Sequence, residues 1–407
     1  MIERVITKII KKAAKNFPAV VLTGPRQSGK TTLLKNILKS THTYINLEDP
    51  DMRMRAREDP KLFLSNFSGP QILDEIQYVP ELLPYIKSSI DNNRAPGHWF
   101  LTGSQNFKLM KGVSESLAGR AAVLSLLPFS FNESSGLGKS ALDMAGLLKS
   151  LKIRGESVPG KSDIGSILRR GGYPEPCSNK KVDINIWCSS YVSTYFERDI
   201  RNLSQIGDLG EFERFVRVCA ARTGQILNLS EMAKEIGISV PTAKKWLSLL
   251  ETGYQVLLLY PYYKNIGKRL IKSPKLYFTD TALVCYLLGI KSNDVLLNGP
   301  SFPAIFETFV VVDFWKRFLN AGDMGSLFYL RTRDGFEVDL VIESGQELFL
   351  FEIKSGGTIT GKHAATLMKA GREIKNVKEC AIVSRSDKNF TISKGVSVYN
   401  WHSLLGK

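Results

Sequence analysis

A short glycine-rich run that ends in a lysine and a threonine is the feature of this sequence most suited to chemistry. The run matches the pattern GxxxxGK[ST] in full and consists of Gly24, Pro25, Arg26, Gln27, Ser28, Gly29, Lys30 and Thr31, with Thr32 directly after it. An apolar strand, Ala19–Thr23, precedes the run and a helix follows it, which is the context that this loop requires. Backbone N–H groups and the helix N-terminus of such a loop bind phosphates. We expect residues 24–32 to contact ATP, with Lys30 at the β- and γ-phosphates and Thr31 as a ligand of Mg²⁺.

Two adjacent carboxylates provide the second half of such a site. Asp74 and Glu75 follow an apolar strand, Gln71–Leu73. We expect Asp74 to bind Mg²⁺ and Glu75 to act as the general base that activates water. An Asp followed by a Glu favours a hydrolase over a nucleotide kinase or a GTPase. Thr102 and Ser104, at the end of the next strand, are polar side chains suited to sensing a γ-phosphate.

Further motifs extend this pattern through the chain. They are L-E-D-P at residues 47–50, T-G-S at 102–104, L-A-G-R at 117–120, P-F-S-F-N-E at 128–133 and R-G-G-Y-P-E at 170–175. With the loop and the paired carboxylates, they resemble the AAA-type P-loop ATPases (AAA_14-like) of bacteria and archaea that are fused to a C-terminal DUF4143-type, PD-(D/E)xK nuclease-like domain. The resemblance covers nearly the whole chain and implies a protein that hydrolyses ATP.

An arginine from a neighbouring subunit or domain often completes the site in such ATPases. Arg120 is the first candidate for this role, followed by Arg170 and Arg198. A trans-acting arginine would make the protein a homo-oligomer. The alternative for each arginine is a solvated surface charge that takes no part in catalysis.

The chain carries a strong positive charge. Its 407 residues include 55 Lys and Arg against 39 Asp and Glu, which gives a formal net charge of +16. The excess is spread over every segment rather than confined to a tail, which favours a polyanionic partner, with nucleic acid ahead of a membrane surface. A basic protein that binds no polyanion is the alternative.

Residues 229–250 have the pattern of a helix-turn-helix. Ser230 is the candidate N-cap of the first helix, and Gly237 is the glycine of the turn. Two strands follow, Gln255–Tyr260 and Lys275–Phe278, as in a winged helix with a basic wing. We expect phosphate contacts with DNA from Thr242, Lys244, Lys245, Lys264, Lys268, Arg269 and Lys272. The alternative is a protein–protein module or a lid over the nucleotide.

Carboxylates and a lysine also converge near the C-terminus. Asp339 lies on one predicted strand, while Glu352 and Lys354 share one face of the next because alternate strand residues point the same way. Glu307, on the preceding helix, could complete the set. This order is similar to that of the PD-(D/E)xK nucleases, which implies that Asp339 and Glu352 bind Mg²⁺ while Lys354 activates water or stabilises the phosphate. The alternatives are a chance pattern on solvated strands and a nuclease fold that has lost cleavage.

The predicted elements describe an α/β protein of four regions. Residues 1–133 form an AAA-type P-loop domain with a mainly parallel sheet, 134–222 a connector and helical region, 223–300 a winged helix, and 301–407 a restriction-endonuclease-like α/β domain. No apolar run approaches the ~20 residues that span a bilayer, which excludes a membrane-spanning protein, and we expect no membrane partner. Five scattered cysteines without CxxC spacing argue against disulfides or a zinc site and favour the reducing cytoplasm.

These features predict an AAA-type ATPase that binds and hydrolyses Mg-ATP and acts on double-stranded or branched DNA. Its ATP state would be coupled to the winged helix and to a metal-dependent nuclease-like domain, with ATP and Mg²⁺ as the cofactors. Two alternatives from other classes remain open. One is a non-cleaving, ATP-gated switch that binds DNA or protein, and the other is an ATP-driven remodeller of protein partners.

Overall fold

The computed structural model describes residues 2–104, 113, 115–151, 163–194, 209–263, 272–323, 325–332 and 336–407. Within these residues the chain forms three sheets, of five, six and three strands, connected by helices. No helix in the described part of the chain is long and apolar enough to cross a membrane.

The N-terminal region is a parallel five-stranded sheet covered by helices on both faces. Its elements are α1 (Thr7–Asn16), β1 (Ala19–Thr23), α2 (Lys30–Leu38), β2 (Thr43–Asn46), α3 (Pro50–Glu58), α4 (Pro60–Ser65), β3 (Gln71–Asp74), α5 (Leu82–Asn92), β4 (Trp99–Gly103) and β5 (Ala121–Ser125). The strand order is β2-β3-β4-β1-β5, and every pair is parallel. The parallel α/β sheet predicted from the sequence is confirmed.

Alternation along β1 explains why helices cover both faces of this sheet. Val20 and Leu22 pack with Ile10 of α1 and with α2, whereas Ala19 and Val21 pack with the apolar residues of α3, α4 and α5. Successive strand residues point to opposite faces, so a strand that is apolar throughout must be buried on both sides. All five residues of β1 are buried.

The middle of the chain is mainly helical and carries the small sheet. Its elements are α6 (Phe131–Ser134), α7 (Met144–Lys149), α8 (Ile164–Arg170), α9 (Pro174–Ser178), α10 (Ile184–Thr194), α11 (Leu209–Ala221), β6 (Gln225–Ile226), α12 (Leu229–Ile236), α13 (Val240–Thr252), β7 (Val256–Leu259), β8 (Lys275–Phe278), α14 (Thr281–Leu287) and α15 (Asn293–Asn298). The sheet is antiparallel, with the order β6-β8-β7.

Helices α12 and α13 with the β7–β8 hairpin occupy the segment predicted to be a winged helix. The turn between the helices contains Gly237 in the left-handed conformation, as the sequence predicted. The predicted N-cap of α12 is wrong: Asn228 rather than Ser230 caps this helix, and its side chain accepts a hydrogen bond from the N–H of Glu231. Asn and Ser are both favoured at N-caps, so propensity alone does not choose between them.

The C-terminal region is a mixed six-stranded sheet between two helices. Its elements are α16 (Phe302–Asn320), β9 (Leu327–Arg331), β10 (Glu337–Ser344), β11 (Glu347–Ile353), α17 (Gly361–Glu373), β12 (Val377–Ser384), β13 (Phe390–Ser393), β14 (Val396–Asn400) and α18 (Trp401–Leu405). The strand order is β13-β14-β12-β11-β10-β9. One face packs through Phe351 against Phe314 of α16, and the other packs through Leu350 against Leu367 of α17.

Candidate functional site

The strand order of the N-terminal sheet brings the predicted nucleotide-binding residues together. Strand β4 lies between β1 and β3. The glycine-rich loop follows β1, Asp74 and Glu75 come at the end of β3, and Thr102 lies near the end of β4. Because the carboxyl ends of parallel strands meet at one edge of a sheet, all these residues lie at the same edge, which is where α/β proteins bind ligands.

The backbone of the glycine-rich loop adopts conformations at Gly24 and Gly29 that disfavour any residue with a side chain. Gly24 has φ +142°, and a Cβ atom there would lie 2.1 Å from the carbonyl oxygen of Leu126. Gly29, at the N-terminus of α2, has φ +92°. Gln27 also lies in the left-handed region, with φ 58°. The loop therefore wraps tightly around the start of α2 and leaves its N–H groups at the helix N-terminus, where anions bind.

Lys30 lies across this loop. Its buried Nζ donates hydrogen bonds to the carbonyl oxygens of Gly24 (2.9 Å) and Pro25 (2.8 Å). Ser28 Oγ is buried and has no hydrogen-bond partner among the described residues. A buried polar group without a partner is costly, and a phosphate oxygen would satisfy it. The loop thus presents a cation and an unsatisfied hydroxyl group where phosphates would bind.

Asp74 is held by three hydroxyl groups. Thr31 Oγ1 donates to Asp74 Oδ2 at 2.8 Å, Tyr44 OH donates to the same oxygen at 2.7 Å, and Thr102 Oγ1 donates to Oδ1. Burial and the Asp74 carboxylate raise the pKa of Tyr44, so this phenol stays protonated and keeps donating. Thr31 and Asp74, the two predicted Mg²⁺ ligands of this site, are in direct contact. Their hydroxyl and carboxylate oxygens are the donors that Mg²⁺ prefers, so this pair fits the metal.

Glu75 is oriented by the end of β4. Its backbone is left-handed, with φ 57°, and its N–H donates to Thr102 Oγ1 at 3.2 Å. Ser104 Oγ donates to Glu75 Oε2 at 3.1 Å, and Gln77 Nε2 donates to the same oxygen. Left-handed backbone in a residue with a side chain stores strain and recurs at functional sites. Hydrogen bonds from these polar neighbours therefore fix the direction of the Glu75 carboxylate.

A cleft of about 590 Å³ opens above the loop, and part of its wall comes from the middle region. Its lining comprises Arg26, Gln27, Gly29, Lys30, Thr31, Thr32, Glu75, Pro174, Glu175, Tyr191 and Thr194. Tyr191 and Thr194 lie on α10, and the sequence analysis did not select them. Nothing in their residue types marks them, because it is the packing of α9 and α10 that brings this wall to the loop.

A second cavity of about 390 Å³ shares Gly29, Thr32 and Pro174 with this cleft. Arg4 forms part of its wall and was also missed by the sequence analysis. The Arg4 guanidinium is buried and donates to Glu133 Oε1 (3.1 Å) and to the Ser28 carbonyl oxygen (3.1 Å). The N-terminal segment is thereby fixed to the glycine-rich loop.

The candidate arginines for a trans-acting role have partners within the chain. Arg120 forms a two-pronged ion pair with Asp91 of α5, with distances of 2.6 and 3.0 Å. Arg170 donates to the carbonyl oxygens of Pro176, Asn179 and Val182. Arg198 lies outside the described residues. The role of Arg120 stays a prediction, and it does not line the cleft of its own chain.

The predicted DNA-binding residues are divided. Lys244, Lys245 and Lys272 are exposed. Thr242 is half-buried, and its N–H and hydroxyl group both contact the hydroxyl of Ser239, the N-cap of α13. Lys264, Lys268 and Arg269 lie outside the described residues. DNA contact by this unit stays a prediction. Of the residues predicted to bind DNA, Lys244 and Lys245 are the exposed ones on the second helix, α13.

The four C-terminal residues predicted for catalysis lie close together, but with an additional cation among them. Asp339 on β10 and Glu352 on β11 lie one step beyond the Leu340–Phe351 pair of the antiparallel register. Lys354 Nζ donates to Glu352 Oε1 at 2.6 Å, and the N–H of Ile353 donates to Asp339 Oδ2 at 2.8 Å.

Lys275 of β8 is the additional cation. Its Nζ lies 3.1 Å from Glu307 Oε1, 2.6 Å from Glu337 Oε1 and 3.7 Å from Asp339 Oδ1. The sequence assigned this lysine only to a strand and gave it no role, and its side chain is only 4% exposed. Burial opposes the charge of Lys275, but the carboxylates around it raise its pKa, so it stays an ammonium ion.

Two of the carboxyl groups have raised pKa values, which favours their neutral form. Burial, followed by the negative charge of Asp339, raises the pKa of Glu307 to about 7 and that of Glu352 to about 7. Within the described ranges, no group of three or more His, Cys, Asp or Glu side chains is placed to hold a metal ion. The arrangement thus does not favour the metal role predicted for Asp339 and Glu352.

Three family models match successive parts of the chain. Residues 16–135 match a family described as an AAA domain, which contains the loop and the paired carboxylates. Residues 161–294 match a domain of unknown function (DUF8612), and residues 302–404 match another (DUF4143). The N-terminal region therefore has an AAA-type P-loop fold, as the resemblance implied.

The chain is also similar to proteins from two groups of microorganisms. Two uncharacterized proteins, from Mycobacterium bovis and Mycobacterium tuberculosis, are each 31% identical over 351 residues, which covers 86% of this chain and 73% of each relative. An uncharacterized protein of Methanocaldococcus jannaschii is 25% identical over 401 residues, covering 91% of this chain and 82% of that protein.

Solved structures are similar only at a remote level. The RuvB Holliday junction branch migration motor of Thermotoga maritima aligns with a TM-score of 0.30 and 16% identity, covering 62% of this chain and 88% of its own. AMPPCP-bound DnaA of Aquifex aeolicus aligns with a TM-score of 0.29 and 13% identity, covering 60% and 86%. Likeness at this level does not bear on function.

Proposed function

The chain belongs to one family with the two mycobacterial proteins, and on that premise and the geometry of the loop we propose that it binds and hydrolyses Mg-ATP. The observation that carries the proposal is the contact of Thr31 with Asp74, which joins the glycine-rich loop to the paired carboxylates. The loop and Glu75 line one cleft, and Asp74 lies beside it in contact with Thr31 of the loop and Thr102 of β4. This is the set of parts that phosphoryl transfer to water requires.

Each residue has a role that follows from its position. Lys30 would exchange its bonds to Gly24 and Pro25 for the phosphates, and Ser28 Oγ would gain a partner. Thr31 and Asp74 would hold Mg²⁺, which when bound neutralises charge on the β- and γ-phosphates. Glu75, directed by Ser104, would accept a proton from the attacking water.

Two adjacent residues support coupling of this site to the helix-turn-helix unit, by which we mean residues 229–278 with α12, α13, β7 and β8. Gln255 Nε2, three residues beyond α13, donates to the hydroxyl of Tyr191 in the wall of the cleft at 3.1 Å. The hydroxyl of the adjacent Tyr254 lies 2.8 Å from Thr23 Oγ1 and 2.8 Å from Ser125 Oγ. Thr23 directly precedes Gly24. A change in the loop would therefore reach this unit through hydrogen bonds on both sides of the cleft.

DNA is the partner that the charge of the chain supports. The net charge of +16 and the exposed Lys244 and Lys245 on the second helix of the unit suit a polyanion. We test this with duplex and branched DNA in a retardation assay at increasing salt, with and without a non-hydrolysable ATP analogue. A Lys244→Glu/Lys245→Glu chain should bind more weakly with a smaller dependence on salt, while Lys11→Glu/Lys12→Glu, two exposed lysines of α1, is a charge-matched control. Equal binding by all three chains would place the DNA contacts outside α13, and no retardation of DNA at low salt would favour the protein-remodelling alternative.

Metal-dependent DNA cleavage by the C-terminal region remains the alternative activity, which the buried ammonium of Lys275 among its carboxylates disfavours. The contact between Lys354 and Glu352, and the buried Glu352 Oε2 without a partner among the described residues, are the observations in its favour. Cleavage of plasmid and branched DNA with Mg²⁺ or Mn²⁺ by the wild type, and its loss in Asp339→Ala, would support it. Cutting that persists in Asp339→Ala would assign the activity to a contaminant.

Oligomerisation and location complete the proposal. If Arg120 acts in trans, mixing Lys30→Ala and Arg120→Ala chains should restore ATP hydrolysis that neither has alone; no restoration would contradict this role. All five cysteines are free thiols, and burial raises the pKa of Cys219 and Cys380 among them. Inert, reduced thiols suit the cytoplasm, where we place the protein.

A further inference from the structure

A buried lysine from one region of the chain occupies the carboxylate cluster of another. Lys275 belongs to β8 of the small sheet, whereas Glu307, Glu337 and Asp339 belong to the C-terminal region. The ammonium lies within 4 Å of all three carboxylates, and the hydroxyl of Tyr277, on the same strand, donates to Glu307 Oε1 at 2.6 Å. Two side chains of β8 thus engage the carboxylate that the helix α16 supplies.

The oxygens that a metal would need are largely engaged. Glu307 Oε1 accepts from Lys275 and Tyr277, Asp339 Oδ2 accepts from the N–H of Ile353, and Asp339 Oδ1 faces Lys275. Glu352 Oε1 accepts from Lys354. Glu352 Oε2 is the one oxygen of this set that is buried without a partner in the described part of the chain. In the described part of the chain, no group of three or more His, Cys, Asp or Glu side chains is placed to hold a metal ion, so the cluster offers a metal no ready set of ligands.

The lysine is held in place by the backbone around it. β8 pairs with β7, and the chain after β7 forms an isolated bridge to β9 of the C-terminal sheet, where the N–H of Tyr262 donates to the Tyr329 carbonyl at 2.6 Å. The N–H of Tyr329 donates to the Tyr260 carbonyl at 3.1 Å, and its hydroxyl donates to the Ser273 carbonyl at 2.7 Å. Lys275 Nζ also lies 5.7 Å from the centre of the Tyr329 ring. Hydrogen bonds between these backbone segments therefore fix the position of Lys275, which is not a free side chain on the surface.

The positive charge of Lys275 opposes the binding of a metal ion in the same cluster. A divalent cation among these carboxylates would face the Lys275 ammonium in a site shielded from water, where repulsion between like charges is strong. Removing the ammonium would leave buried carboxylates unpaired, which is costly. The residues present therefore do not fit a metal while Lys275 is inserted.

We infer that the carboxylate cluster of the C-terminal region is a binding site for the ammonium of Lys275, which joins this region to the helix-turn-helix unit and excludes a catalytic metal. The nuclease-like arrangement then serves as a joint between the two regions. Its ligand is a side chain of the same chain, and the wild type does not cleave DNA at this site.

The test is Mn²⁺ binding to the full chain without nucleotide, followed by electron paramagnetic resonance and calorimetry. An Asp74→Asn background removes the other metal site, so the outcome is independent of ATP hydrolysis. In this background we compare Lys275 with Lys275→Met, which keeps the length without the charge, and with Lys275→Arg, which keeps the charge. We expect the Met chain to bind Mn²⁺ at least about tenfold more tightly than the other two, because losing one member of a buried charge pair has effects of this size or larger.

A further variant separates the inference from a folding defect. Adding Asp339→Asn to the Lys275→Met chain should abolish the gained Mn²⁺ binding, and circular dichroism reports whether each chain is folded. Mn²⁺ binding by the chain with Lys275 that disappears with Asp339→Asn would overturn the inference, even if Lys275→Met did not fold. A folded Lys275→Met chain that gains no Mn²⁺ binding would overturn it as well.

Discussion

Replacing Tyr254 with Phe removes one hydroxyl group that bonds the end of β1 to the helix-turn-helix unit. This hydroxyl lies 2.8 Å from both Thr23 Oγ1 and Ser125 Oγ. Each such bond contributes about 1 kcal/mol net. Thr23 and Ser125 retain their own contact at 3.4 Å, which compensates in part. Because Thr23 directly precedes the loop, we expect about 1 kcal/mol to appear in ATP affinity, a Kd about fivefold higher.

The assay is a fluorescence titration with a labelled ATP analogue, arranged as a double-mutant cycle with Thr23→Val. In the Thr23→Val background, Tyr254→Phe should have a smaller effect, because Thr23, the partner of the hydroxyl next to the loop, is already absent and only Ser125 remains. Tyr85→Phe, on the exposed surface of α5, is the control and should bind like the wild type. An unchanged Kd in Tyr254→Phe, or an equal change in both backgrounds, would refute the proposed coupling through this contact.

Three further predictions concern stability and the loop. Arg4→Met should lower Tm in a thermal melt and reduce the free energy of unfolding by about 3–5 kcal/mol, because Glu133 stays buried without its ion-pair partner. Lys139→Met removes a member of an exposed ion pair and should reduce it by no more than about 1 kcal/mol. Equal melting points of the two variants would contradict this prediction. Gly24→Ala should lose ATP binding or fail to fold because its Cβ would lie 2.1 Å from a carbonyl oxygen, whereas Gly136→Ala has open space and tests the effect of φ alone; retained binding in Gly24→Ala would contradict it. Burial lowers the pKa of His42 below its ordinary value of 6.5, so the unfolded chain binds more protons than the folded chain in that range and stability should fall as pH drops through 6.5. The decline in Tm should be smaller in His42→Gln, and an identical decline would show that this histidine does not contribute.

The geometry of the proposed nucleotide site was predictable from the sequence because its residues are encoded locally. The loop is a contiguous run, and the apolar strands that place Asp74 and Thr102 beside it are recognisable by their residue types. The parallel order of those strands then follows from general rules of α/β folds. What the sequence did not indicate is the far wall of the cleft, where Tyr191 comes from packing between distant segments.

The C-terminal carboxylate cluster was predictable from the sequence only in part. The proximity of Asp339, Glu352 and Lys354 follows from strand periodicity and a hairpin, which the sequence makes visible. Lys275 was not singled out, because its pairing with Glu307 joins a strand and a helix through residues 32 positions apart. Arg4 was overlooked for the same reason: its partner Glu133 is 129 positions away. Local pattern cannot show contacts of this kind.

The central claim is that Glu75 activates water in a site that binds ATP through Lys30 and Thr31. Single-turnover hydrolysis of ATP labelled in the γ-phosphate, measured beside equilibrium binding of ATP, tests it most directly. We expect the wild type to bind and hydrolyse ATP, Glu75→Gln to bind ATP but hydrolyse it about 100-fold or more slowly, and Lys30→Ala to bind ATP poorly. Hydrolysis by Glu75→Gln at the wild-type rate would contradict the account.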